Sequence, residues 1–280
     1  MSAESTEVAV LVRRFDPTGE ELARWEPLAR DDDGSIAFLS PAKAKAAALA
    51  PPSGAGLHIG DLIATMPAEA AGHDEYATGL YVVTPDGVKA SPKPPGHLRG
   101  AWLARWGANA EEMLGEASES KADKRRLVMA ACDCVETVLH LVPAGDDLPR
   151  AAIEAARAWC LGRMDLGQVK AASETVEPSK SGDVGTARGA AYGAAWSVST
   201  ACYDEDACTA LVKCGAWCAA EAVRIADGTP HDAALRVFAP LVERWLPLAV
   251  VLLSGLGYDA IPFEPEPDAS DASNTPVSTP

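Results

Sequence analysis

Aromatic side chains make up only 6% of this 280-residue chain, and its 24 lysines and arginines are outnumbered by 40 acids. The first shortage leaves few large apolar groups to fill a core, and the abundant alanine that takes their place leans toward helices. The second gives a formal net charge of −16. Such a chain repels phosphate, which excludes a nucleic-acid binder working by broad electrostatics. It would attract a basic protein partner instead. Long apolar runs are missing too. The longest, Leu246 to Leu253, is interrupted by Pro247 and falls far short of the about 20 residues that cross a bilayer, so no membrane partner is expected. The opening residues MSAESTEV carry no basic n-region and no apolar h-region, so no signal peptide is read there. Seven cysteines, an odd number without the framework of a small secreted protein, predict reduced thiols and a cytoplasmic location.

Catalytic signatures are equally scarce. His58, His73, His97, His140 and His231 belong to no HExxH or HxxxH pattern. Ser53-Gly54-Ala55-Gly56 lacks the Lys-Ser/Thr of a phosphate-binding loop, no GxGxxG follows a strand, and GxSxG is absent. His73-Asp74-Glu75 has the side chains of a metal ligand or a base but reads as a solvated loop. Cys202, Cys208, Cys214 and Cys218 fall within 17 positions without the paired CxxC of structural zinc. Cys214 and Cys218, four apart, share a helix face, and all four are expected to pack in the core. Cys132 and Cys134, two apart on a helix, face different ways. No catalytic residue, cofactor or metal is therefore expected, and the chain does not read as an enzyme.

Two regions differ in pattern. In residues 1–95, Val8 to Phe15 (VAVLVRRF) reads as a strand and Asp16-Pro17 as a helix start leading to Leu22 and Trp25. Asp31 to Gly34 is a turn, Ser35 to Leu39 a short strand, and Ser40-Pro41 opens an alanine-rich helix that Pro51-Pro52 ends. Leu57 to Met66 is compatible with a strand or a short helix. Leu80 to Val83, the turn Pro85-Asp86-Gly87 and Val88 form a hairpin. This is a small α+β module. After the proline-rich SPKPPG at 91–96 every strong pattern has helical period, giving a larger all-α bundle over 97–257. Residues 97 to about 255 should then fold without the module. The acidic Pro/Ser tail, 262–280, has almost nothing to bury and is expected to be disordered.

Within the bundle, His97 to Ala117 places Leu98, Trp102, Trp106, Ala110 and Met113 on one face. Ser120 and Asp123 resemble a capping box for a helix reaching Val142, with Leu127, Ala131, Cys134, Val138 and Leu141 inward and Asp133, Glu136 and His140 away from that stripe. Asp147 caps the next helix, which carries Ile153, Ala156, Trp159 and Cys160 and pairs Glu154 with Arg157 on its surface. Pro178 to Asp183 is a loop. Helices follow at Ala187 to Ser199, Asp206 to Ala226 and Pro230 to Leu253, the last capped by Thr229 and kinked or split at Pro240 and Pro247. Small residues let these helices approach closely, and Trp159, Trp196, Trp217 and Trp245 are expected to fill what the alanines leave open.

Two stretches, DCVETVL (Asp133 to Leu139) and DLPRAAIEAARAW (Asp147 to Trp159), together with the Ala/Gly-rich helices that follow, resemble the putative immunity protein domain. The best matches are Pro149-Arg150, Ala152 to Arg157, and Trp159, and the likeness covers residues 121–227. The resemblance implies a small, alanine-rich bacterial helical domain found near polymorphic toxin systems, and it transfers no binding residues. The function expected is non-enzymatic protein binding, an immunity protein neutralising a toxin, with a structural or adaptor component of a multi-protein assembly as the alternative. The acidic loop Asp204-Glu205-Asp206 is the candidate contact for a basic partner. The same acids could cap the following helix, and the two roles are compatible.

Overall fold

The computed structural model describes residues 7–13, 25–67, 78–91, 109–177 and 185–258. The helix start at Asp16-Pro17, Leu22, the loop His73-Asp74-Glu75, most of the 91–96 segment, the stretch 97–108, the loop at 178–183 and the tail lie outside those residues.

The first part is an antiparallel sheet with one helix on it. Its strands are β1 (Val8–Arg13), β2 (Glu26–Pro27), β3 (Phe38–Leu39), β4 (Leu62–Pro67), β5 (Gly79–Thr84) and β6 (Gly87–Ala90), and the helix is α1 (Pro41–Leu49). The order is β2-β1-β4-β5-β6, with β3 also paired to β1. The compatible readings of Leu57 to Met66 resolve as the central strand β4. In place of the strand expected over Ser35 to Leu39, two residues form β3 and Ile36 bridges Arg30. Strand β2 carried no apolar alternation and was not foreseen.

The run Val8 to Val12 is apolar throughout because both sheet faces are covered. Val8, Val10, Val12, Ile63, Tyr81 and Val83 pack with Ala44 and Ala48 of α1. The alternate residues Ala9, Leu11, Leu62, Ala64, Met66, Leu80 and Val82 join one apolar cluster with the helices. Register aligns the second set across three strands: Leu11 faces Ala64, and Ala64 faces Leu80.

The second part is a helical bundle: α2 (Ala110–Glu119), α3 (Lys124–Glu136), α4 (Leu148–Cys160), α5 (Leu166–Thr175), α6 (Ala187–Ala201), α7 (Cys208–Asp227), α8 (His231–Trp245) and α9 (Leu248–Gly255), with a 3₁₀ turn at Leu139–Leu141. Helix α3 is central. Every residue from Leu127 to Val135 is buried, and it packs on α4, α6, α7 and α8.

Several helix boundaries differ from the sequence reading, and side-chain caps account for two of them, at Asn109 and Asp123. The Trp102 to Ala117 face does not run through as one helix. Asn109 is extended, and its side chain accepts a hydrogen bond from the Glu111 amide, so α2 begins there. Asp123, not Ser120, is the N-cap of α3, accepting from the Arg125 and Arg126 amides. Helix α3 stops at Glu136, short of Val142. Asp147 stands at the N-cap of α4, but its side chain makes no capping bond. Helix α5, unforeseen, opens on a reciprocal box between Asp165 and Gln168. Pro230, not Thr229, precedes α8. Pro247 separates α8 from α9 at a 63° bend, whereas Pro240 stays inside α8. Among the described residues no single helix is long and apolar enough to cross a membrane, although α8 and α9 would pass together by length and composition.

Helices α6 and α7 make the most extensive helix pair, and Gly215 sets their separation. A Cβ there would lie 2.4 Å from Val198 Cγ2 and 3.5 Å from the Ala194 carbonyl. Valine is stiff at χ1 and cannot swing aside freely. Gly215→Ala should therefore lower the melting temperature, even though alanine is the better helix former by about 1 kcal/mol, because overpacking of about 1–3 kcal/mol outweighs it. Adding Val198→Ala should restore stability. Thermal melts of the single and double variants check this, and a single variant more stable than the parent would refute the close approach.

Candidate partner-binding face

Helix α7 has an inner and an outer stripe. Cys208, Val212, Gly215, Ala216, Ala219, Ala220 and Ala222 are buried against the bundle. Thr209, Ala210, Cys214, Trp217 and Arg224 are exposed, with Lys213, Cys218 and Glu221 half-buried beside them. The small residues of the inner stripe draw α7 in so closely that its larger side chains are left outside. Trp217, expected to fill the core, is instead 45% exposed, the only tryptophan among the large exposed apolar residues described. Its ring lies 5.0 Å from that of His231, whose Nε2 is 3.1 Å from the Trp217 carbonyl. This contact ties the start of α8 to the middle of α7.

The acidic loop stands at the head of the same helix. Asp204 is half-buried, and its Oδ1 accepts from the Ala207 amide at 2.9 Å. That bond braces the turn ahead of α7, whose N-cap, Ala207, has no side-chain capping bond. Glu205 and Asp206 are exposed. Alongside, Ser118 at the end of α2 is hydrogen-bonded to Thr209, and Glu111 lies 3.7 Å from Lys213. Further down, Arg224 donates two 2.6 Å bonds to Glu221. The face thus runs from an acidic head past an exposed aromatic to a charge-paired end.

A second polar feature sits inside the bundle. Asp133, expected away from the apolar stripe, is only 8% exposed. Its Oδ1 accepts from Arg157 Nη2 and its Oδ2 from Trp245 Nε1, both at 2.6 Å. Arg157 also reaches Glu136 at 2.5 Å. It therefore pairs across to α3, not along α4 to Glu154 as the spacing suggested. Arg126 Nη1 donates to the Trp245 carbonyl at 3.1 Å. This network joins α3, α4 and α8. A third polar group, Asp146, accepts from Tyr192 at 2.6 Å and from Arg188 at 2.7 Å. The Tyr192 hydroxyl, with Arg188, holds the Asp146 carboxyl below the usual carboxylate range.

The cysteines divide. Cys132, Cys134, Cys160, Cys202 and Cys208 are buried, and burial pushes their thiols up, Cys202 to about 12. They pack as small apolar groups, as expected of Cys202 and Cys208. Cys214 does not: it is exposed, with Cys218 half-buried beside it. Among the described residues no group of three or more histidines, cysteines and acids is placed to hold a metal ion. His58 and His140 are both exposed.

These features define a helical domain with a buried ionic network and an exposed aromatic-acidic helix face. Residues 118–212 match the family described as Imm-5 like putative immunity protein. The match covers about a third of the chain, from the end of α2 into the first turns of α7. It begins three residues before the resemblance read from the sequence and stops short of its end at 227. It includes Asp133, Arg157, Trp159 and the acidic loop, and excludes Trp217 and the sheet. Within it, Pro149, Ala152, Ile153, Ala155 and Ala156 are buried, whereas Arg150 and Glu154 are exposed. Trp159 is half-buried, with Lys124 Nζ 5.7 Å and the Arg125 guanidinium 5.9 Å from its ring. No curated protein and no solved structure matches the chain.

Proposed function

We propose that this chain is a non-enzymatic binding protein of the immunity type, neutralising a protein toxin by occupying it with the acidic loop and the outer face of α7. The match over residues 118–212 carries the reading. The net charge of −16 supports a basic partner, which long-range attraction would steer toward the acidic head of α7. Trp217 supplies the large, half-exposed aromatic that dominates many interfaces once it is desolvated.

The test is co-expression and co-purification with the proteins encoded beside its gene, followed by binding kinetics across salt. Changing Asp204→Asn, Glu205→Gln and Asp206→Asn together should lower the association rate by roughly tenfold at low salt and leave dissociation nearly unchanged. The amide at position 204 keeps an oxygen for the Ala207 N–H, so melting should not move. Trp217→Ala should do the reverse, speeding dissociation by an amount worth about 2 kcal/mol. Association indifferent to salt and to the triple change would remove the electrostatic part of this reading. A partner drawn from an assembly, with no toxic activity to neutralise, would favour the adaptor role.

A further inference from the structure

The outer face of α7 holds a pair of groups that partner docking does not require. Cys214 and Cys218 lie one helical turn apart with their sulfurs 3.8 Å from each other. Cys214 is exposed, and Cys218 is half-buried where α7 passes Gly193 of α6. The hydrogen bond between the two sulfurs, with help from the Ser197 hydroxyl, pulls Cys214 toward its thiolate and pushes Cys218 up. The two sulfurs thus lie side by side at the surface.

The spacing selects what can bridge them. A disulfide needs Cβ atoms about 3.5–4.5 Å apart. Residues four apart on a helix hold theirs at about 5–6 Å, so closing that bond would unwind a turn of α7. A single metal ion needs no such change. Thiolate–metal bonds are about 2.3 Å long, so one ion spans sulfurs up to about 4.6 Å apart. Zinc would want four ligands, and no third histidine, cysteine or acid completes a set with these two among the described residues. A soft ion content with two sulfurs has what it needs. Glu111 and Glu221 add negative potential around the pair.

We propose that Cys214 and Cys218 form a two-thiolate site for one soft, low-coordinate metal ion of the Cu(I) class. Binding forms two sulfur–metal bonds, releases the thiol protons to solvent and moves no electrons. Trp217, between the two cysteines in sequence and on the same exposed face, lies next to the bound ion.

The full chain, reduced and kept anaerobic, is titrated with Cu(I) buffered by bicinchoninate, with Trp217→Phe separating the fluorescence of that ring from the other tryptophans. The expected result is uptake of about one equivalent in competition with the chelator, accompanied by quenching that Trp217→Phe reduces. Cys214→Ser and Cys218→Ser should each abolish uptake while leaving circular dichroism and melting unchanged. Equilibrium dialysis against zinc should load less than about a tenth of an equivalent. Failure of the wild-type chain to compete with the chelator would overturn the site, and so would full uptake by either serine variant. Near-stoichiometric zinc would overturn its selectivity.

Discussion

Asp133→Ala should destabilise the protein by about 3 kcal/mol, the lower end of what breaking a buried ion pair costs. The change leaves Arg157 Nη2 and Trp245 Nε1 without the carboxylate they both reach at 2.6 Å. The lower end applies because Arg157 is 25% exposed and keeps Glu136. For a chain of this size the loss corresponds to a fall in melting temperature of roughly 6 to 12 °C. Asp133→Asn should lie between, since one amide oxygen can still accept from Trp245. Urea and thermal melts of both variants measure the effect. A decrease of no more than about 2 °C for the alanine variant would show that the network contributes little.

Expressing residues 97–257 alone should give a chain that still melts cooperatively, but at a markedly lower temperature and with strong binding of an apolar dye. The bundle has its own central helix in α3, buried from Leu127 to Val135 and packed on other helices. It also shares a cluster with the sheet. Helix α9 packs on β5, and Leu248 to Ser254 are all buried. Tyr258 then donates to Asp86 in the β5–β6 turn at 2.8 Å. Without the sheet, several of these side chains face water, at about 1.5–3 kcal/mol for each large one fully uncovered. A molten or insoluble product would mean that the helices are not a unit by themselves.

Sheet-then-bundle architecture was legible because β-branched runs and helical periodicity separate cleanly at the SPKPPG segment. The immunity-type resemblance was legible in Asp147 to Trp159, whose apolar spacing is also its buried face. Helix ends were harder. Asn109 and Asp123 stop and start helices through side-chain bonds to specific amides, and a periodic pattern runs across such points without a mark. Asp133 was misplaced because its position on the apolar stripe of α3 was judged by hydropathy, while its partners come from residues 24 and 112 positions away. Trp217 was misplaced for the converse reason. A large apolar side chain was assumed to be needed inside, but the close contact at Gly215 leaves no room for one between α6 and α7. Cys214 followed it outward on the same stripe. The acidic loop was identified with two compatible roles, and the Asp204 bond to Ala207 braces the turn ahead of α7 without capping the helix.

The layer formed by α9 also imposes an order on synthesis. The strands β1 to β6 leave the ribosome first, and the helix that covers part of their inner face is translated only after the rest of the bundle. At about 5–20 residues per second, the interval from Ala90 to Leu248 is on the order of ten seconds or more. Throughout it, Leu80 and Val82 of β5 lack part of their final cover while α1 already shields the opposite side. The nascent chain is therefore most prone to aggregation in the middle of its production, and a protein that holds such surfaces should be found on ribosomes stalled before Leu248 and absent from the finished, released chain.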